Sequence, residues 1–299
     1  MRRWTPSIAA ALLCLIALSG CGSAAEAPAD PPATEEVAPA PAAEERAEPP
    51  AQEPAEQTPQ QPAQQPAQQP AAEPKPPEAE APPPVEKDYY MDASYIVRPK
   101  DEALDPKKVV LLTFDDGPKE EKMLTSMLDT LDRHGAKAIF FLNGYRAERN
   151  PELVKLIYER GQTIGNHGWD HVDLKKQSQE EMEKQIDGVQ TLVRELTGEA
   201  PAFFRPPFGS GGDAVKRKAK DAGMLYMTWS NGSRDWEKGF DEPRKVVDSV
   251  LEQLHPGSNI LMHELSWTEA ALDELLTELE RREYGFLDPA RIDPDYSKN

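Results

Sequence analysis

A break in composition near residue 88 constrains this chain more than any other feature. Residues 22–87 hold 18 of the 30 prolines, no Phe, Tyr or Trp, and 13 acidic against 3 basic residues. Such a segment has too little apolar surface to offset the entropy of ordering it. The folded part must therefore lie within residues 88–299, which carry every Phe and Tyr and four of the five Trp. That is enough chain for one sizeable core, and a single domain of catalytic size is expected there.

Ahead of the break, Arg2-Arg3 and the apolar run from Ile8 to Leu18 read as the basic and apolar regions of a signal peptide. The run is too short to span a bilayer as a stable helix. It ends in Leu18-Ser19-Gly20-Cys21, which resembles the bacterial lipoprotein signal, with Cys21 as the lipid attachment. Residues 1–21 are thus expected to be a signal segment and 22–87 a solvated tether. The Ala/Pro/Glu/Gln low complexity, with QQPA three times over in 60–71, favours extended chain with a polyproline II bias. Its reach lies between about 45 Å as a coil and about 200 Å fully extended. Lipid on Cys21 would anchor the chain to a membrane, facing outward toward the cell wall.

The formal charge of −19 is shared by the tether and the remainder, and no Lys/Arg stripe stands out. This argues against a nucleic-acid partner and against electrostatic docking to anionic lipid, and suits a neutral or sugar substrate. Both cysteines, Cys14 and Cys21, precede the tether. A metal in the folded part would have to use His, Asp or Glu.

From 108 onward, short β-branched apolar runs alternate with amphipathic stretches, the pattern of parallel strands with crossover helices. Strands are predicted at 109–113, 138–142, 162–164, 202–204, 225–229 and 259–262, and helices at 119–133, 151–160, 178–197, 213–222, 243–254 and 268–282. Gly135, Gly161, Gly198 and Gly223 fall where helices need a left-handed terminal residue. Residues just past the strand C-termini share one rim in such a fold, whether barrel or open sheet. Five loops bring polar groups there: Asp115-Asp116, His167 to His171, Arg205 to Gly209, Trp229 to Trp236, and Leu261 to His263.

Adjacent carboxylates at a strand end are expected to point apart, giving Asp115 and Asp116 separate roles around one site. His167 and His171, four residues apart, can converge on one ion from a helical turn or a tight loop. Of the other three histidines, His134 and His255 sit at helix C-termini, where imidazole suits the dipole. Two histidines and one carboxylate would leave a coordination position open, as in a catalytic metal site.

Taken in order, these motifs resemble the polysaccharide deacetylase family, the NodB homology domain, from about 108 to 287. The resemblance implies a distorted, incomplete (β/α) barrel with parallel strands and a divalent metal, most often zinc, with cobalt or nickel as alternatives. It implies removal of acetyl groups from N-acetylated wall sugars, peptidoglycan first among them. Asp115 matches the base, Asp116, His167 and His171 the metal ligands, and Arg205 the residue that orients the base. The Phe208 amide matches the oxyanion donor, and Pro206 and Pro207 before it have no N–H. His263 matches the general acid, Asp235 its partner, Trp236 a groove ring and Leu261 a wall of the acetyl pocket. Trp169 and Trp267 could also stack on sugars. Two positions depart from the pattern: Gly168 stands where Ser or Thr is usual, and Gly232 where many members have Asp. Alternative activities are an O-acetyl esterase on a xylan-like glycan, a chitooligosaccharide deacetylase, or an inactive wall-binding lipoprotein.

Overall fold

The computed structural model describes residues 85–101, 103 and 108–296. The expected signal segment, Cys21 and the tether up to residue 84 lie outside them. A hairpin, β1 (Tyr89–Met91) and β2 (Val97–Pro99), comes first. Then follow β3 (Val109–Gly117), α1 (Glu121–Arg133), β4 (Ala138–Leu142), α2 (Gly144–Arg149), α3 (Pro151–Glu159) and β5 (Thr163–Asn166). The second half runs α4 (Gln179–Thr197), β6 (Phe203–Phe204), α5 (Asp213–Asp221), β7 (Leu225–Tyr226), β8 (Asn231–Gly232), α6 (Pro243–Glu252), β9 (Ser258–His263), α7 (Ser266–Arg281) and β10 (Gly285–Phe286).

The sheet is parallel throughout, in the order β7-β6-β5-β4-β3-β9-β8, with β10 pairing the start of β3. It curls as an incomplete barrel, because its two outer strands, β7 and β8, are not hydrogen-bonded to each other. Residues 227–230 cross between them. There the Thr228 carbonyl accepts from Arg205 Nε and Nη2 and from Asn259 Nδ2, so side chains bridge where no ladder forms.

Strand alternation sorts the core into two layers. On β3, Val110, Leu112 and Phe114 face the helices and pack with Leu124, Met127, Leu128 and Leu131 of α1, whose spacing makes one apolar stripe. Each such burial contributes roughly 1.5–3 kcal/mol. The intervening Val109 and Leu111 belong to a second cluster with Ile139, Phe141, Phe203 and Met227 inside the curl. Tyr89 and Val97 of the hairpin and Leu287 and Ile292 near the C-terminus join it. They stop the strand N-terminal end with apolar surface. Further along β3 the inward positions are Thr113 and Asp115, so polarity rises toward the C-terminal rim.

The helix-ending glycines all have left-handed φ. Three strands differ most from the sequence reading. β3 continues through the Asp pair to Gly117, the third strand lies at 163–166, and the predicted 225–229 strand is only Leu225–Tyr226 before the chain leaves β6 and crosses to β9 as β8. The hairpin, α2, β8 and β10 were not anticipated: at two to six residues they are too short to show a period.

Candidate functional site

The β3–β4 register shifts between Asp115 and Gly117, and Asp116 in the bulge has φ 66°. This overturns the expectation that the paired carboxylates diverge. A bulge inserts a residue, so consecutive side chains no longer alternate faces. Both reach the same imidazole: His167 Nε2 lies 3.6 Å from Asp115 Oδ2 and 3.6 Å from Asp116 Oδ1.

The two histidines come from the loop after β5, not from a helix. His167 Nδ1 lies 2.7 Å from the Arg205 carbonyl. A carbonyl only accepts, so Nδ1 carries a hydrogen and Nε2 is the nitrogen turned toward Asp116. His171, with φ 54°, places Nε2 3.2 Å from Asp116 Oδ1. Ligand atoms of Asp116, His167 and His171 all lie within 4.8 Å of one another. Asp116 Oδ1 is shut off from water yet has no hydrogen-bond donor. Burial pushes the Asp116 carboxyl up, but the His167, His171, His263 and Lys119 charges outweigh it and hold the group below the usual aspartate value. Burial pushes His171 below the ordinary histidine value, favouring the neutral form that ligates. An orphaned carboxylate oxygen beside two imidazole nitrogens is a donor set that fits a divalent cation.

Arg205 lies wholly buried beneath this cluster, over the Phe141 ring. Nη1 donates to Thr113 Oγ1 at 2.8 Å and Asp115 Oδ1 at 2.7 Å, Nη2 to Asn259 Oδ1 at 3.1 Å and to the Thr228 carbonyl at 2.8 Å, and Nε to that carbonyl at 3.1 Å. All five guanidinium donors are used, which fixes both the arginine and the carboxylate it holds.

Across the rim stands His263, level with Asp115 in the β3–β9 register. Its Nδ1 lies 2.7 Å from Asp235 Oδ1. Asp235 Oδ2 accepts from the His263 backbone N–H at 2.8 Å and from Thr268 Oγ1 at 2.7 Å. Burial works against the charged imidazole, but the hydrogen bond and charge of Asp235, aided by Asp115 and Asp116, raise it above the ordinary histidine value. Trp267 Nε1 donates to the Asp235 carbonyl, bracing that loop.

Between these groups opens a cavity of about 490 Å³ lined by Asp116, Lys119, Asp235, Trp236, His263 and Trp267, among others. Trp236 is exposed and lies edge-on to His263, ring centroids 5.4 Å apart. Phe208, at φ 60°, is 65% exposed with its ring 4.6 Å from that of His171. Leu261 is buried on β9, two residues before His263. Trp169 does not face the cavity. It packs against Gly144 and Gly188, where added Cβ atoms would overlap its ring.

Six described non-glycine residues have left-handed φ, and four of them, Asp116, His171, Phe208 and Arg234, stand at this rim. Backbone strain of this kind concentrates where a site over-determines the chain. Gly168 joins them at φ 74°, its N–H donating to Asn166 Oδ1 at 2.9 Å. Asn166 thereby ties the histidine loop where a hydroxyl is absent. At Gly232 an added Cβ would stand 3.2 Å from the Trp236 ring, so the second departure leaves room for that indole.

Sequence reading missed Glu264. It is 1% exposed, its Oε2 accepts the Lys119 N–H at 3.0 Å, and its Oε1 has no donor. Burial pushes its carboxyl up to about 7, against the Lys119 N–H and the Lys119 and Arg146 charges. The available signal was an acid set directly after an otherwise apolar strand ending in His263.

A curled parallel sheet whose C-terminal rim gathers a His/His/Asp cluster, a buried Arg–Asp pair and a His–Asp pair has the layout of a metal-assisted hydrolase. Comparison with known proteins agrees. The sequence model described as Polysaccharide deacetylase matches residues 103–227. A peptidoglycan-N-acetylglucosamine deacetylase of Bacillus cereus is 36% identical over 188 residues, covering 60% of this chain and 86% of that one. The PgdA peptidoglycan-N-acetylglucosamine deacetylase of Listeria monocytogenes is 39% identical over 181 residues, 60% of this chain but 38% of its own length. This chain therefore spans well under half of that larger protein. Among solved structures, a CE4 family pseudoenzyme from Bacillus anthracis superposes with a TM-score of 0.58 at 32% identity, over 61% of this chain and 64% of its own. The chain belongs to the polysaccharide deacetylase family.

Proposed function

We propose that this protein is a divalent-metal-dependent N-deacetylase of cell-wall polysaccharide, with peptidoglycan as its substrate and zinc as its metal. The observation that carries this reading is the convergence of Asp116, His167 and His171 around an orphaned carboxylate oxygen, facing the His263–Asp235 pair with Asp115 between. Held by those three side chains, a divalent cation supplies Lewis acidity, polarising an acetyl carbonyl and acidifying water.

The chain's own groups divide the remaining work. Asp115, its Oδ1 fixed by Arg205, accepts the proton of the attacking water at Oδ2. The Phe208 amide donates to the developing oxyanion. His263, its Nδ1 hydrogen held by Asp235, donates from Nε2 to the leaving amine, without which the adduct collapses back to substrate. Trp236 offers a ring face to the sugar and Leu261 closes the acetyl pocket. In the same reading, residues 1–21 are a signal segment, lipid on Cys21 anchors the chain outside the membrane, and the 22–87 tether lets the 88–299 domain reach wall glycan.

That the Bacillus cereus and Listeria relatives are peptidoglycan-N-acetylglucosamine deacetylases supports N-acetylated wall sugar over a xylan-like ester or chitooligosaccharide. An inactive scaffold, which likeness to the pseudoenzyme would favour, leaves the Asp116 oxygen and both hydrogen-bonded acid/base pairs without a use. The test is mass spectrometry of muropeptides, chitooligomers and O-acetylated xylan after incubation with the zinc-loaded full chain and its Asp115→Asn variant. Muropeptides are expected to lose an acetyl mass with the wild type only. Acetate released solely from the ester, or none from any substrate, overturns the reading.

A further inference from the structure

Glu264 is a buried carboxylate that the proposed chemistry does not use. Its placement is specific: its backbone N–H points to the Asp115 carbonyl at 3.4 Å, and its Oε2 accepts from the Lys119 N–H at 3.0 Å. One residue thus spans both ends of the Asp115–Lys119 turn, which carries Asp116. Its other oxygen lies against Gly117, where any Cβ would overlap it. No donor reaches that oxygen. A buried, half-satisfied carboxylate is costly, and a Leu or Met of similar size would fill the space without that cost. What an apolar residue lacks is an acceptor for the Lys119 N–H.

The turn needs such an acceptor. Asp116 sits at left-handed φ in a bulge, and the β3–β4 ladder is out of register across it, so the usual restraints on a strand end are missing there. Glu264 is also joined covalently to His263, whose backbone N–H is tied to Asp235. A shift of the turn is therefore resisted by the same strand end that carries the imidazole.

We propose that Glu264 is a positioning residue that holds the Asp115–Lys119 turn in the shape that presents Asp116 to the cation, acting through the Lys119 N–H and the close fit against Gly117. This rests on the reading of Asp116 as a ligand. Groups that orient a ligating side chain typically change metal affinity about 10- to 100-fold when removed.

The experiment is zinc affinity of the full chain, measured by competition with a chromophoric chelator, with unfolding of the zinc-free protein recorded alongside. Glu264→Ala is expected to weaken zinc binding by about 10- to 100-fold. Glu264→Gln, which keeps a carbonyl oxygen for Lys119, is expected to recover most of that loss. Gly117→Ala, which pushes on the same contact from the turn side, is expected to weaken zinc binding too, and stands in if Glu264→Ala does not fold. Zinc held as tightly by Glu264→Ala or Gly117→Ala as by the wild type overturns the proposal, as does a Gln variant no better than Ala. A wild-type chain that binds no zinc overturns the Asp116 ligand reading instead, and this one with it.

Discussion

The two halves of the rim are built on opposite principles. On the ligand half, Asp116 and His171 sit at left-handed φ, both are partly exposed, and a carboxylate oxygen lacks a donor. On the acid half, His263 ends a regular strand and both oxygens of the Asp235 carboxylate are satisfied within the protein. The first half leaves an acceptor open in the folded chain. The second is complete as folded. Strain and an unmet acceptor therefore mark where a ligand belongs, while saturation marks a group prepared in advance to carry a proton.

The largest effect that sharpens this contrast comes from the ligand half. His171→Ala removes one of three donors and is expected to abolish zinc binding at micromolar metal and acetyl release with it, as read by chelator competition and by mass spectrometry. His263→Ala is expected to leave zinc bound while lowering kcat by about 10² to 10⁴, the contribution of a positioned general acid. If both variants lose zinc equally, the two halves are not separable.

A smaller effect tests the acid half. Its work requires protonated His263, and its pKa lies above the ordinary value because Asp235 overrides burial. Activity should therefore persist above pH 6.5 and fall as pH rises through the elevated value. Asp235→Asn removes the charge, so the basic limb of the kcat profile should move to lower pH. A limb that stays in place assigns it to another group.

The smallest effect concerns the histidine loop. Gly168 is at φ 74°, with nothing closer than Pro207 at 3.6 Å to an added Cβ. Gly168→Ser thus meets backbone strain and not a clash, and should cost about 1–2 kcal/mol of stability. Thermal unfolding reads it, and zinc affinity should change little if Asn166 holds the loop.

Much of this arrangement could be read from the residues because the longer elements announce themselves. The strands at 109–113, 138–142 and 259–262 and the helix at 178–197 are runs long enough to show a period, and the structure holds elements at each. Asp115 and Asp116 end the first of those strands and His263 the last, while His167, His171 and Arg205 follow the shorter β5 and β6 and Asp235 follows β8, so topology brings them to one rim. The bulge at Asp116 left no compositional trace, since a register shift depends on the partner strand. Trp169 was ambiguous because its pocket is made by two glycines, Gly144 and Gly188, far apart in sequence. Glu264 escaped because its meaning comes from a turn some 145 residues earlier.

The seam between the two outer strands has a consequence for how such a protein could change over generations. Arg205 closes that wall with the same guanidinium that grips Asp115. A descendant that gave up the reaction could let Asp115 drift, yet would still need the arginine, or an equal set of donors, to keep the wall shut. Retention of Arg205 in a sequence of this lineage is therefore a record of architecture and cannot by itself be taken as a sign that the chemistry survives.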